Sequence, residues 1–588
     1  MNDTVAGLLQ VAAVLTVLAV AYVPLGDYMA AVYRSRRHSA PERILYRLAR
    51  VDPASGQTWR AYAGSVLAFS LVSILLLYAL QRWQGVLGGN GHKPGIPPAM
   101  ALNTAISFVT NTNWQSYSPE TTMGNLTQLL GLTVANFLSA AVGMAVAVAL
   151  IRGLIARSRT GVLGNFWVDL VRGTLRVLVP LAVLIALVLV AQGAVQSWHS
   201  SVDYTVLDGR AVHSPIGPFA GQEAIKVLGT NGGGTLAANS AHPFSNPTPL
   251  TNVVQIAALL LIPVCLTRTY STLVGDRRQG LTLLAVMAVI WGSMLAVAWS
   301  LQTRPTGLAS AAAGANLEGT ELRFGIPGTA LFAVSTTGTS TGAVNAAHDS
   351  LAAGTGGAAL ANMLLGEVAP GGVGSGLYGI LVLALITVFI GGLLVGRTPE
   401  FLGKKVTRRE ITLAMLYVLV MPVLVLTGTS IAIILSSTTG AMIDPGPPGT
   451  PEAIHGFSQV LYAYASAANN NGSAFGGLTV TSDWFQLSLG LAMFFGRFLS
   501  IILVLALAGS LANQRPRGGE SGAADAPVVA SGGAALAGTA HAPADADSGI
   551  LPTHGVLFGA LLLGTTVLVA GLTFFPALTL GPIAEAML

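Results

Sequence analysis

Long apolar runs dominate the hydrophobic pattern of this chain, and short polar interruptions punctuate them. A membrane span needs about 20 mostly apolar residues. Runs of that kind fall near 5–33, 61–82, 126–151, 176–197, 249–269, 281–301, 359–396, 411–438, 483–512 and 553–583. They predict an all-α polytopic membrane protein of about ten transmembrane helices. The first run is long for a cleavable leader, and its basic residues, Arg34, Arg36 and Arg37, follow it rather than precede it. It therefore reads as a retained span. The seventh run is too long for one crossing. The stretch Gly366-Glu367-Val368-Ala369-Pro370-Gly371-Gly372-Val373-Gly374-Ser375-Gly376 should interrupt it, because proline removes a helical hydrogen bond and glycine costs about 1 kcal/mol in a helix interior.

The polar interruptions repeat. Between spans 2 and 3, 4 and 5, 6 and 7, and 8 and 9 lies a semi-apolar run too short to cross, then a turn rich in Thr, Asn and Gly. The first runs from Ala105 to Thr110-Asn111-Thr112-Asn113-Trp114-Gln115, the second from Ala224 to Gly229-Thr230-Asn231-Gly232-Gly233-Gly234. The third runs from Ala330 to Thr336-Thr337-Gly338-Thr339, the fourth from Tyr462 to Asn469-Asn470-Asn471-Gly472. Gln115, Gly232, Gly338 and Gly472 are spaced by 117, 106 and 134 residues, so a unit of span, short helix, polar turn and span occurs four times. Copies in one orientation imply a pseudo-fourfold arrangement about an axis. The chain then divides into a first span and loop (1–55), pore units at 56–160, 161–278, 279–407 and 408–513, a linker (514–549) and a last span (550–588). The linker is rich in Gly, Ala, Ser, Pro and Asp and buries too little apolar area to offset its ordering entropy.

Charge orients the chain. Of 29 Lys and Arg, 22 follow spans 1, 3, 5, 7 and 9. By the positive-inside bias those loops are cytoplasmic and both termini lie outside. Composition agrees with a lipid-facing surface: 52% of residues are hydrophobic and 9% charged, against roughly 25% charged in soluble domains, and the mean hydropathy is +0.67. The pI near 9.4 reflects this placement of charge at the membrane and not a nucleic-acid partner. The single cysteine, Cys265, lies in an apolar run and reads as a small buried residue.

The turns suit a weakly hydrated cation. Backbone carbonyls replace a water shell without the desolvation cost of carboxylates. Irregular backbone at membrane depth survives only inside protein or along a water-filled cavity. Glycine lets carbonyls turn inward, and the preceding short helices aim their negative ends at the ion. The turns lack Asp and Glu, which argues against a calcium or magnesium cage. Enzymatic readings fare worse. No phosphate-binding Gly-x-x-x-x-Gly-Lys-Ser/Thr loop and no Asp-Lys-Thr-Gly-Thr context occurs, so no ATP site is expected. The histidines are scattered without ligand spacing, against a metal-dependent lipid transferase. A sodium-coupled carrier would show inverted repeats.

The loop sequences Thr110 to Tyr117, Gly229 to Gly234 with Asn239-Ser240-Ala241-His242-Pro243-Phe244, Gly338 to Asn345, and Asn469 to Phe475 resemble those of the KdpA family, the potassium-binding subunits of Kdp potassium-transporting ATPases. The likeness extends over nearly the whole chain and implies the fold of the superfamily of K+ transporters. It also implies K+ as the transported ion, a P-type ATPase subunit and two smaller subunits as partners, and residence in a bacterial cytoplasmic membrane. It further implies a selectivity filter at Asn111, Thr112, Asn113, Gln115, Thr230, Asn231, Gly232, Gly233, Thr336, Thr337, Gly338, Thr339, Asn469, Asn470, Asn471 and Gly472, and a tunnel from the filter towards the ATPase subunit. The alternative is a Trk- or Ktr-like potassium channel or gradient-driven transporter of the same fold.

Gln115 departs from the repeat: its side chain either adds an oxygen to the filter or packs behind the loop. Arg497 lies within an apolar span. It either sits below the filter as a barrier to cation leak or pairs with a buried acid. Glu367, Gly371, Gly372 and Gly374 either form a gating loop beneath the filter or relieve packing. His242 and Asp27 read as structural.

Overall fold

Burial divides the spans into two classes. A computed structural model describes residues 3–514 and 551–587, apart from 92, 158, 307, 395 and 443–450. The expected linker falls, but for Gln514, outside the described residues. The chain begins with α1 (Asp3–Arg34), a surface helix α2 (Ala40–Leu48), α3 (Trp59–Arg82), a short α4 (Pro98–Val109) and α5 (Thr127–Ile155). It continues with α6 (Phe166–Ala191), short α7 (Phe219–Leu228), α8 (Pro249–Val274), α9 (Arg277–Gln302) and short α10 (Gly325–Thr337). It ends with α11 (Ala353–Leu364), α12 (Ser375–Leu394), α13 (Arg408–Ile434), short α14 (Pro451–Asn469), α15 (Asp483–Ala512) and α16 (Gly555–Met587). Ten of the described helices, α1, α3, α5, α6, α8, α9, α12, α13, α15 and α16, are long and apolar enough to cross a membrane.

The most apolar windows of α5, α8 and α12 are each 78% buried and that of α15 is 61% buried, whereas no other span exceeds 39%. The four buried helices are the second spans of the four repeated units. They are the inner helices, and the others show apolar side chains outward: Leu75 and Leu76 on α3, Leu187 on α6, Leu419 on α13. Small residues let the inner helices close up. A Cβ on Gly153 of α5 would stand 2.5 Å from the Ala508 carbonyl of α15.

One boundary differs from the hydropathy reading, and one expected break is met. The fourth span begins at Phe166, not near 176, because its first turns carry Asp169, Arg172 and Arg176. These charges are matched inside the fold. Asp169, 1% exposed, takes both guanidinium arms of Arg152, at 2.6 and 2.9 Å, and the Tyr62 hydroxyl at 3.0 Å. Asn165 starts the helix by accepting from the amides of Trp167 and Val168. The seventh apolar run is two helices, α11 and α12. The intervening 365–374 stretch is non-helical, as its proline and glycines required.

Removing the acid from the buried pair strands the Arg152 guanidinium. Asp169→Ala should cost about 3–5 kcal/mol and lower the thermal midpoint of the detergent-purified protein. Asp169→Asn, which keeps an acceptor for one guanidinium arm, should lose less.

Four loops around one axis

The four short helices end in the same way. Each is followed by a left-handed residue: Asn111 (φ +72°), Thr230 (+50°), Ser340 (+50°) and Asn470 (+59°). The next amide then reaches back five residues, Thr112 to the Ser107 carbonyl (3.0 Å), Asn231 to Lys226 (3.0 Å), Thr341 to Thr336 (3.1 Å) and Asn471 to Ser466 (2.8 Å). This shared hydrogen bond fixes the register of the four loops. Thr112, Asn231, Thr341 and Asn471 are equivalent, and Asn113, Gly232, Gly342 and Gly472 follow them.

Two expectations change with this register. Thr336 and Thr337 complete α10, and Gly338 caps it, so the third turn comes later than the Thr/Gly signal suggested. The threonine hydroxyls bond back along the chain, Thr337 Oγ1 to the Ala333 carbonyl and Thr339 Oγ1 to Ser335, both at 2.7 Å. In the first loop Asn113, not Gln115, stands opposite Gly232 and Gly472. The Gln115 side chain is spent on the second loop, accepting from the Gly234 amide (2.8 Å) and donating to its carbonyl (3.2 Å). It thus bridges the first and second loops.

The loops converge on Gly232. A Cβ there would lie 2.7 Å from the Thr112 carbonyl oxygen, 3.0 Å from that of Thr341 and 3.2 Å from that of Asn471. At Gly472 (φ +105°) it would lie 1.9 Å from the Thr112 oxygen, so both space and conformation demand glycine. Three loops therefore present carbonyls to the fourth, and the equivalent carbonyl of the second loop is that of Asn231. Gly233 lies one residue beyond, against the Asn113 carbonyl.

The asparagine side chains face away from this ring and brace it. Asn111 donates to the Thr230 carbonyl (2.7 Å), and Asn231 donates to the side-chain oxygens of Asn111 and Asn113 (both 2.9 Å). Asn113 donates to Asn136 of α5 (2.6 Å), Asn470 to Thr112 Oγ1 (3.0 Å) and Asn471 to the Thr336 carbonyl (3.2 Å). Asn469 bonds back to the Ala465 carbonyl of its own helix. Sequence reasoning missed a further brace. Lys226 and Glu223, one turn apart on α7, form a buried ion pair (2.7 Å), and the Lys226 ammonium also donates to Asn239 (2.7 Å) and Ser240 (3.0 Å). Asn239 in turn donates to the Gly233 carbonyl (2.7 Å). The i, i+3 spacing of Glu and Lys was the available signal.

Directly against the loops lies the break between α11 and α12. The Gly371 amide donates to the Gly338 carbonyl (2.8 Å) and the Val373 amide to Thr230 Oγ1 (3.0 Å). A Cβ on Gly372 would meet the Thr339 oxygen at 3.1 Å, and one on Gly374 the Gly143 carbonyl at 2.1 Å. Glu367, 2% exposed, accepts from Asn471 Nδ2 (2.8 Å). Arg497, 5% exposed, donates to the Ser139 carbonyl of α5 (3.1 Å) and has no carboxylate within 4.0 Å among the described residues. The acid partner considered for it is therefore absent from that set. Arg497 lines a cavity with Ser340, Asn470, Tyr378, Tyr417 and Thr566. His242 accepts from the Phe244 amide, and Asp27 pairs with Arg268 at 2.8 Å. Among the described residues, no three His, Cys, Asp or Glu gather as a metal site.

A family model described as KdpA, potassium-transporting ATPase A subunit, matches residues 12–529 and 526–587. A protein of Rhodococcus opacus is 66% identical, one of Nocardia farcinica 65% and one of Rhodococcus jostii 64%, each over the full length of both chains. All three are named potassium-transporting ATPase potassium-binding subunit. A solved potassium transporter, TrkH of Vibrio parahaemolyticus, aligns at 14% identity with a TM-score of 0.49 over 74% of this chain and 84% of its own, a likeness too slight to bear an argument.

Asn231→Leu leaves the Asn113 side-chain oxygen buried without this donor. Each such orphan costs about 1–3 kcal/mol, so the purified variant should melt at lower temperature than the wild type.

Proposed function

The chain belongs to the KdpA family of potassium-transporting ATPase A subunits, and on that premise we propose that it binds K+ in the four-loop ring and conducts it across the bacterial cytoplasmic membrane. It does so as the non-hydrolytic subunit of an ATP-driven uptake complex. The observation that carries this reading is the approach of the Thr112, Thr341 and Asn471 carbonyls to Gly232. Neutral carbonyl dipoles replace the water around a large monovalent cation and release it again, whereas Mg2+ or Ca2+ would call for carboxylates. The C-terminal ends of α4, α7, α10 and α14 add partial negative charge at the same place.

Below the ring, the 366–374 loop bars a direct path, and the unpaired positive charge of Arg497 repels a cation that slips past it. The neighbouring cavity between α12, α13, α15 and α16 offers a sideways route. Energy comes from outside this chain, from a P-type ATPase subunit accompanied by two smaller subunits. The basic loops put both termini on the outer face. No feature of the site favours the gradient-driven alternative over family membership.

The test is K+-stimulated ATPase activity of the purified complex. Gly232→Asp puts a side chain among three carbonyls, and the K+ concentration for half-activation should rise at least about tenfold, equivalent to about 1.4 kcal/mol. Unchanged activation would overturn the assignment of the ring. A second measurement addresses the barrier. Arg497→Gln should increase passive K+ flux through proteoliposomes without ATP, and an unaltered flux would remove Arg497 from that role.

A further inference from the structure

We infer that α2 is an interfacial helix that recognises anionic phospholipid at the inner leaflet. Three faces divide its short length. Glu42 and Tyr46, four residues apart, are buried against the bundle. Ile44, Leu45 and Leu48 form a second stripe and are 56, 40 and 76% exposed. Arg43 and Arg47 form a third, solvent-exposed row, and exposed Arg50 follows just past the helix end. At about 100° per residue the buried, apolar and basic faces are spaced roughly a third of a turn apart, so the helix can dock one face on the bundle, sink the apolar one and keep the basic one at headgroup level.

The depth of α2 is set by one ion pair. Arg176 of α6 holds both carboxylate oxygens of Glu42 at 2.5 Å and also donates to the Arg37 carbonyl at 2.8 Å. The residues after Arg176, Val177 to Ala191, are uncharged and apolar, so Arg176 marks the edge of the hydrocarbon. The Tyr28 hydroxyl of α1 donates to the Arg176 carbonyl at 2.9 Å, which ties the lipid-facing first span to the same level. The exposed apolar stripe of α2 is therefore held at the boundary where acyl chains begin.

Charge chooses the lipid. From Arg34 to Arg60 the chain carries seven arginines and two carboxylates, Glu42 and Asp52, and Glu42 is consumed by Arg176. Basic residues placed beside a span on the side that the positive-inside bias makes cytoplasmic are drawn to anionic headgroups. A zwitterionic surface would use the apolar stripe alone.

The experiment uses the full transport complex in liposomes with Leu48→Cys labelled by bimane. Cys265 is fully buried, so labelling is selective within this chain, and the complex without Leu48→Cys supplies the background from its other subunits. Quenching is compared between brominated phosphatidylglycerol and brominated phosphatidylcholine at equal mole fraction. Brominated phosphatidylglycerol should quench more effectively by about fivefold, the enrichment expected from one basic residue at the surface. Replacing Arg43, Arg47 and Arg50 with Gln, all exposed and free to change without disturbing the core, should bring the two lipids level. Equal quenching with the arginines in place would overturn the charge-based recognition. Absence of quenching by either lipid would mean that another subunit covers α2, and would overturn the membrane assignment. A label at Leu45→Cys gives the same reading should the first site perturb the helix.

Discussion

Exposed backbone at membrane depth is the constraint on which this structure turns. A chain that unwinds inside a bilayer must supply a partner for every amide it frees, or lose several kcal/mol per group. The loops after α4, α7, α10 and α14 meet that demand in one repeated way. The amide after each left-handed residue returns to a carbonyl five positions earlier, and asparagine side chains tie the loops to one another. What stays unspent is a set of carbonyl oxygens directed at Gly232. The bracing and the proposed chemistry are thus one arrangement seen from two sides: asparagines outward, carbonyls inward.

The helices follow from the same demand. A ring of irregular loops needs protein on every side, and the second span of each unit supplies it. These helices are shielded from lipid and packed through small residues, while the first spans and the end helices carry the lipid-facing leucines and valines. Charges at the helix ends are held by matched pairs, Arg152 with Asp169, Arg176 with Glu42 and Arg268 with Asp27. Each pair joins two different helices and so fixes the height of one against the other.

Much of this was legible in the residues because its physics is coarse. Apolar length revealed the spans, and the Pro370 region revealed the break after α11. Four Thr/Asn/Gly turns in equivalent slots revealed the repeat. Register was harder. Thr336 and Thr337 are turn-like by composition, yet they close α10, with the Thr337 hydroxyl bonding back to Ala333. Gln115 looked like an equivalent of Gly232 until the five-residue hydrogen bond placed Asn113 there. The start of α6 was hidden because hydropathy counts Asp169 and Arg176 as costs and cannot see Arg152 and Glu42 beside them. Local pattern reports local preference, whereas the start of α6 and the place of the Gln115 side chain were decided by partners about 17 to 134 positions away.

The inequality of the four units is as informative as their likeness. Only the third has a second span that is broken, and its break returns to the ring, where Gly371 and Val373 bond to the third and second loops. Glu367 joins the same break to the fourth loop through Asn471, whose backbone carbonyl borders Gly232. Any shift of the break must therefore move, or be moved by, residues of three loops at once. The cavity beside it is bounded by α12, the unit's own continuation, by α13 and α15 of the fourth unit, and by α16. A fourfold-symmetric protein would place its exit on the axis. Here the one broken span lies against the loops, and the open space lies to its side. On the proposed reading, this departure from symmetry supplies both the closure and the direction of the alternative path.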